Sequence, residues 1–384
     1  MEEIVIKTKK GFFIRNEKDF GALVFSPYSG LFFAIAKDYV EDTLNFCNKQ
    51  RSNLPEEIQK QLNIGLEANE KHFETQSWLP SKESFSDRNG FPDKSPILIN
   101  WLISNKCFFK CNYCYASDVI SQEFKMKDAK EIANDILKMQ PLAVVLSGGE
   151  PLREKEKMID ALNILGDKVG IIIDTNGYNY DEELADLFKK YNVVVRVSLD
   201  TLNNELSKKI RPLENKKQDN NTLDNIIGNI LAYRKKKIPV LIHTVVSTIN
   251  KNSLDDLYHR LPHLGLNGWR LFSVITPNNK ERKEQFDDLM SYGKGKSTKK
   301  AIEDIKEKFK KIYKKQYISK STFTVQVVPT SESAKNSVIL VLPDGKFVTE
   351  SMFRNEKKEI NKNNVFGKNI VSLQGHYERY LGKI

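Results

Sequence analysis

The sequence predicts an α/β fold built on a parallel sheet, and three observations carry that prediction. From residue 97 onward, strand-like apolar runs alternate with amphipathic stretches, and six such units follow one another. Polar or glycine-rich segments come directly after several of the runs, where parallel βα folds gather their functional groups. At 384 residues the chain is long enough for one large domain with smaller units attached.

Residues 1–75 read as a small α+β unit. Strand-like runs at 3–6, 12–15, 22–25 and 31–35 are separated by Lys-Lys-Gly and Pro-Tyr-Ser-Gly turns. Residues 38–48 and 55–66 then repeat apolar residues at helical intervals. The stretch 76–96, rich in Ser, Pro, Gly and charge, reads as a linker. In the main domain, 97–315, strands are expected at 97–103, 142–146, 169–173, 193–199, 240–246 and 269–275. Helices at 127–139, 181–190, 222–235 and 253–261 lie between them and imply right-handed crossovers. The region 316–384 changes character. It carries apolar runs at 323–328 and 338–342, a Pro343-Asp344-Gly345 hairpin turn into 346–349, and Gly367-Lys-Asn-Ile beyond.

The net charge is +11, from 61 basic against 50 acidic residues. The basic runs 234–237, 306–315 and 357–362 are scattered, and Ile305, Phe309 and Ile312 mark the second as one amphipathic helix. A solvated surface is the favoured reading, and a nucleic-acid partner is not expected. No stretch of eighteen apolar residues occurs, so no membrane span is expected. Residues 1–10 lack the apolar core of a signal peptide, which points to the reducing cytoplasm.

The chain has four cysteines. Cys47 stands apart, whereas Cys107, Cys111 and Cys114 fall within C-F-F-K-C-N-Y-C. Thiolates select iron–sulfur clusters, zinc or copper(I). A closed zinc site takes four ligands, and the nearest imidazole, His72, is separated from the trio by a long polar stretch. Ser147-Gly-Gly-Glu-Pro151 follows the second predicted strand, Asp174-Thr-Asn-Gly177 the third, and Ser198–Asp200 ends the fourth.

On its C-x3-C-x2-C and S-G-G-E-P segments the chain resembles the radical S-adenosylmethionine (SAM) enzymes, and on F-G-A-L-V-F at 20–25, Y-S-G at 28–30 and the order of its C-terminal segments it resembles their peptide-modifying members. The resemblance covers 96–276 well. It implies a partial (β/α)6, TIM-like barrel, a winged-helix-like peptide-recognition domain at 1–75, and a SPASM-like C-terminal extension. That extension would lack its clusters, because no cysteine follows Cys114. It further implies that Cys107, Cys111 and Cys114 hold three irons of one [4Fe–4S] cluster, whose fourth iron takes the amino and carboxylate groups of SAM. Reductive cleavage then yields a 5′-deoxyadenosyl radical that abstracts hydrogen from substrate. An external donor of flavodoxin or ferredoxin type would supply the electron. Tyr113 matches the position beside adenine, Gly148, Gly149, Glu150 and Pro151 the segment along the methionine, with Glu150 on its ammonium, and Arg211 the partner of the SAM carboxylate.

Several residues keep two readings. Arg196, Ser198 and Asp200 share one face of a strand, near ribose and carboxylate, yet Asp200 equally suits a helix cap. Thr175 and Asn176 suit ribose or methionine contacts, or a plain turn. Arg211 suits a surface position, and Val246 either adenine packing or core. His243 is expected to be a satisfied core or lumen histidine. The leading expectation for function is modification, by cross-link or otherwise, of a ribosomally made precursor peptide that docks by strand addition to the N-terminal unit. Cys47 is the only spare thiol, which favours cross-linking or oxidation over epimerisation. The alternatives are a small-molecule or nucleotide substrate, and a noncatalytic metal-binding module.

Overall fold

The structure, a computed structural model, describes residues 5–17, 21–56, 58–59, 62, 95–114, 116, 122–214, 221–273, 307, 324–328, 337–349 and 376. Most of the linker at 76–96, most of the basic helix at 306–315 and the Gly367-Lys-Asn-Ile segment lie outside these residues.

The chain begins with an antiparallel sheet of β1 (Val5–Lys7), β2 (Phe13–Glu17), β3 (Gly21–Phe25) and β4 (Phe32–Ala36), paired in that order. Every residue of β3 is buried because both faces of this sheet are covered. Ile14, Val24 and Phe33 form one cross-strand row and pack with Cys47 of α1 (Val40–Cys47) in a local core. Phe13, Phe25 and Phe32 form the opposite row and belong to the core of the main domain.

The main sheet runs through β5 (Leu98–Ser104), β6 (Ala143–Gly148), β7 (Gly170–Thr175), β8 (Val194–Ser198), β9 (Val240–Val246) and β10 (Gly268–Ser273), neighbours in chain order and all parallel. Helices α2 (Ala129–Lys138), α3 (Lys155–Leu165), α4 (Glu182–Lys190), α5 (Asn204–Ile210), α6 (Thr222–Lys235) and α7 (Leu254–Arg260) fill the connections. Runs such as Ile171–Ile172–Ile173 and Val193–Val194–Val195 are wholly buried, as expected of parallel strands covered on both sides. Each such side chain contributes about 1.5–3 kcal/mol by leaving water.

Two runs from the region read as an appended extension enter this same sheet. β11 (Thr324–Val328) pairs in parallel with β10, and β12 (Ile339–Val341) pairs in parallel with β5. An edge strand presents unmet N–H and C=O groups, and short β-branched runs satisfy them. β13 (Phe347–Thr349) returns antiparallel to β12 across Pro343-Asp344-Gly345, where Gly345 has φ +81°. His376 ties this region to the start of β5: the Ile97 N–H donates to its Nε2 at 2.9 Å, and its Nδ1 lies 2.7 Å from the Ser337 carbonyl.

The N-terminal sheet sits against the N-terminal ends of the parallel strands. The Arg15 guanidinium, buried beside Glu17, donates to the carbonyls of Pro96 at 2.7 Å and Gln140 at 2.9 Å, just ahead of β5 and β6. The opposite ends of the strands are left to the polar segments. Among the described residues no helix is long and apolar enough to cross a membrane.

Candidate active site

The three clustered cysteines lie on the loop that leaves β5, and neighbouring backbone pins that loop on two sides. On one side runs the Ser147–Glu150 segment. The Gly149 N–H donates to the Ser104 carbonyl and the Glu150 N–H to the Lys106 carbonyl, both at 2.7 Å. This approach is open only to glycine. A Cβ on Gly148, whose φ is +130°, would stand 2.2 Å from the Ser104 oxygen, and one on Gly149 would stand 2.2 Å from the Lys106 oxygen. The β5–β6 register also shifts between Leu102 and Ser104, as the strand turns into the loop.

On the other side the loop is zipped to residues 209–214. The Lys110 N–H donates to Pro212, the Asn112 N–H to Ile210, and the Glu214 N–H to Phe108. No local feature of residues 209–214 announces this pairing.

Glu150 links β6 to β7. It is fully buried, and its Oε1 accepts from the Leu152 N–H at 3.1 Å and the Thr175 hydroxyl at 2.7 Å, while its Oε2 accepts from the Asn176 N–H at 2.8 Å. Burial raises its carboxyl to about 7 in spite of those hydrogen bonds. A carboxylate offers roughly four acceptor sites, so about one is left. Pro151 is buried at the start of the short turn that Glu150 caps. Asn176 reaches back to the loop, with its Nδ2 3.9 Å from Cys107 Sγ.

Arg211 is 4% exposed, which removes the surface reading. Its guanidinium donates to the carbonyls of Ser198 and Asn176, bonds the Cys111 sulfur, and lies 4.8 Å from the centre of the Phe109 ring. Its buried Nε takes no hydrogen-bond partner. Asp200 does not cap the following helix; Asn203 does, accepting from the Leu206 N–H. The Asp200 carboxylate accepts from the Tyr113 hydroxyl at 2.5 Å and from the Val245 N–H at 2.8 Å. Burial pushes both of these groups upward. Asn250, which sequence reasoning passed over, clamps the corner by donating to the carbonyls of Asp200 and Val245.

The loop therefore gathers Tyr113, Glu150, Asn176, Asp200 and Arg211 around the thiols. Thr175 works through Glu150, and Ser198 contributes its carbonyl. Val246 is different. It is fully buried in the sheet–helix core, whereas Val245 and His243, in alternation with it, are half-buried on the face away from the helices. His243 is not satisfied as expected: among the described residues its buried Nε2 has no hydrogen-bond partner.

The residues fit an iron–sulfur cluster with an anionic companion. Burial raises the thiol of Cys107 and pushes that of Cys111 up to about 12, and Arg211 is the chief group favouring the Cys111 thiolate. Iron binding supplies the missing drive toward thiolate. The buried Arg211 Nε–H beside Cys111 is a donor that an anionic ligand satisfies. Each thiolate of a cluster holds its own iron, so the cysteines need not converge on one point. Among the described residues no group of three or more His, Cys, Asp or Glu is placed to hold a single metal ion.

A parallel α/β sheet with a cysteine loop after its first strand defines the class, and residues 101–261 match the Radical SAM superfamily. The chain is a radical SAM enzyme, and its cofactors are a [4Fe–4S] cluster and SAM. It is 28% identical over 221 residues to a probable GTP 3′,8-cyclase of Methanocaldococcus jannaschii, covering 53% of this chain and 71% of that one. It is 23% identical over 185 residues to the AdoMet-dependent heme synthase of Methanosarcina barkeri, covering 47% of this chain and 51% of that protein. The chain thus spans only about half the length of the latter. In fold it is similar to Streptococcus suis SuiB, whose structure is known bound to precursor peptide SuiA. The TM-score is 0.57 at 13% identity, covering 98% of this chain and 88% of that one.

Proposed function

We propose that this enzyme modifies a ribosomally made precursor peptide. The observation that carries the reading is the N-terminal sheet. Its two faces are taken, one by α1 and one by the main domain, so among the described residues its edge strands β1 and β4 are what is left to pair with an extended segment. The fold likeness to SuiB extends over this sheet as well as the main domain. The regions 1–75, 97–315 and 316–384 would then serve recognition, chemistry and scaffold.

Within the site, Cys107, Cys111 and Cys114 would hold the cluster, and Arg211 would meet the SAM carboxylate. When bound, the cluster and SAM supply a 5′-deoxyadenosyl radical that abstracts hydrogen from carbon. The rest falls to side chains of this chain. The free acceptor site on Glu150 would take the methionine ammonium. Tyr113, fixed by Asp200, would present its ring to adenine. Gly148 and Gly149 hold the cysteine loop to the second strand, and Asn176 steadies Cys107. Thr175 orients Glu150, and Pro151 fixes the turn that follows it. Ser198 and Asp200 face the ribose side.

Coexpression with each short open reading frame found beside the gene tests the proposal. A mass change in one of the encoded peptides is expected, and Cys111→Ala should abolish it. Unmodified peptides throughout, with 5′-deoxyadenosine still formed, would overturn the reading. A nucleotide substrate is the second reading, favoured by the 28% identity to the GTP cyclase. It predicts nucleotide binding with no peptide present.

A further inference from the structure

The face of the sheet away from the helices carries a polar row in which His243 and Arg270 have no role in the SAM site, and Ser198 lends that site only its carbonyl. Register places Ser198 of β8 opposite His243 of β9, and His243 opposite Arg270 of β10. One step lower on β8, Arg196 is opposite Asp174 of β7, and their side chains join in a two-pronged ion pair with contacts of 2.5 and 2.7 Å. The Phe272 ring lies 4.9 Å from the His243 imidazole and walls it on one side. His243 Nε2 is buried and has no hydrogen-bond partner among the described residues. A buried polar nitrogen on a functional face calls for an explanation, and a substrate group is the simplest one.

The row also lies close beneath the cysteine loop. The Ser198 carbonyl accepts from Arg211, and Arg211 bonds the Cys111 sulfur. A group seated on the row is therefore held beside the cofactor site, where a substrate must lie. The charges there select its chemistry. Burial, with the Arg196 and Arg270 guanidinium groups adding to it, keeps His243 neutral, so the imidazole offers an N–H to an oxyanion. Asp174 sets the limit. Its carboxylate already occupies Arg196 and would repel a polyphosphate more strongly than a single carboxylate.

We propose that Ser198, His243 and Arg270 bind a single carboxylate of the substrate, either an aspartate or glutamate side chain or a peptide C-terminus. This deepens the peptide reading and rests on it. The row sets which residue of the peptide is brought to the radical.

The test uses cluster-loaded, SAM-bound enzyme under anaerobic conditions, with binding measured calorimetrically. The probes are N-acetylglutamate amide, N-acetylglutamine amide, N-acetylalanine with a free carboxylate, and pyrophosphate. At least one carboxylate probe should bind about tenfold or more tightly than the glutamine compound, since a charge-assisted hydrogen bond separates them. The better of the two carboxylates identifies side chain or terminus as the source. His243→Phe should erase the preference, and His243→Gln, which keeps an N–H, should restore part of it. That rescue separates a lost hydrogen bond from a lost fold. Equal binding of the glutamine compound and both carboxylates overturns the inference but leaves the peptide reading standing, as does a full preference retained in His243→Phe. Tighter binding of pyrophosphate than of either carboxylate overturns both.

Discussion

The two ends of the parallel strands solve the same packing problem in opposite ways. At the N-terminal end an apolar sheet closes the domain, and Phe25 approaches Gly170 so closely that a Cβ there would lie 2.2 Å from the aromatic ring. At the C-terminal end glycine again permits a close approach, but the atoms opposite are the backbone oxygens of Ser104 and Lys106. A side chain can turn away from an intruding methyl group. A backbone oxygen at the mouth of the cysteine loop cannot move without carrying the loop along. The first end can therefore vary within limits of packing, and the second is fixed by geometry.

Substitution at the two ends should separate them. Gly149→Ala is expected to have the largest effect. The forced shift costs on the order of 3 kcal/mol locally and displaces the loop, so iron and sulfide bound after anaerobic reconstitution should fall about tenfold or more. A fully loaded Gly149→Ala enzyme would mean that the glycine pair serves only as a turn.

Gly170→Ala should act on stability alone. Overpacking against Phe25 should cost about 1–3 kcal/mol in urea unfolding, with cluster content and SAM affinity unchanged. Adding Phe25→Leu should recover part of the loss, because the two residues share one contact. Loss of cluster from Gly170→Ala would show that the ends are coupled, contrary to the contrast drawn here.

What the sequence made legible follows the same division. The six central strands and the cysteine trio could be read because their signals are local: a run of β-branched residues, a fixed spacing, a polar segment after a strand. The partners of those segments could not. Nothing in Ser147–Pro151 names Ser104 and Lys106 as its neighbours, and nothing in Lys209–Glu214 announces a pairing with the cysteine loop. Both arise from distant parts of the chain meeting at one sheet end. In β9 the sequence left two faces open. His243-Thr-Val-Val does not alternate visibly, which left Val246 open to adenine packing or core; it is core, and Val245 is the half-buried one. The strands of the 316–384 region were found as runs, but their place in the main sheet is again a matter of long-range pairing.

The smallest effect concerns a pair of histidines, one near each end. His376 has a partner on each ring nitrogen, whereas the buried Nε2 of His243 has none among the described residues. Burial, with Arg196 and Arg270 adding to it, holds His243 well below the ordinary value of 6.5, and Asp174 is already engaged by Arg196. The unfolded chain takes up a proton near 6.5 while the folded chain does not. This residue's contribution is thus present above that pH and is lost as pH falls below it, at up to about 1.4 kcal/mol per pH unit. His243→Phe should therefore flatten the decline in stability between about pH 6.5 and about pH 5.5, measured by urea unfolding of cluster-free protein. A decline as steep in the variant as in the wild type would mean that His243 takes up its proton in the folded chain. The face beneath the cysteine loop would then hold a charged imidazole, and neither its burial nor the guanidinium groups beside it would set it apart from the end where His376 is satisfied on both nitrogens.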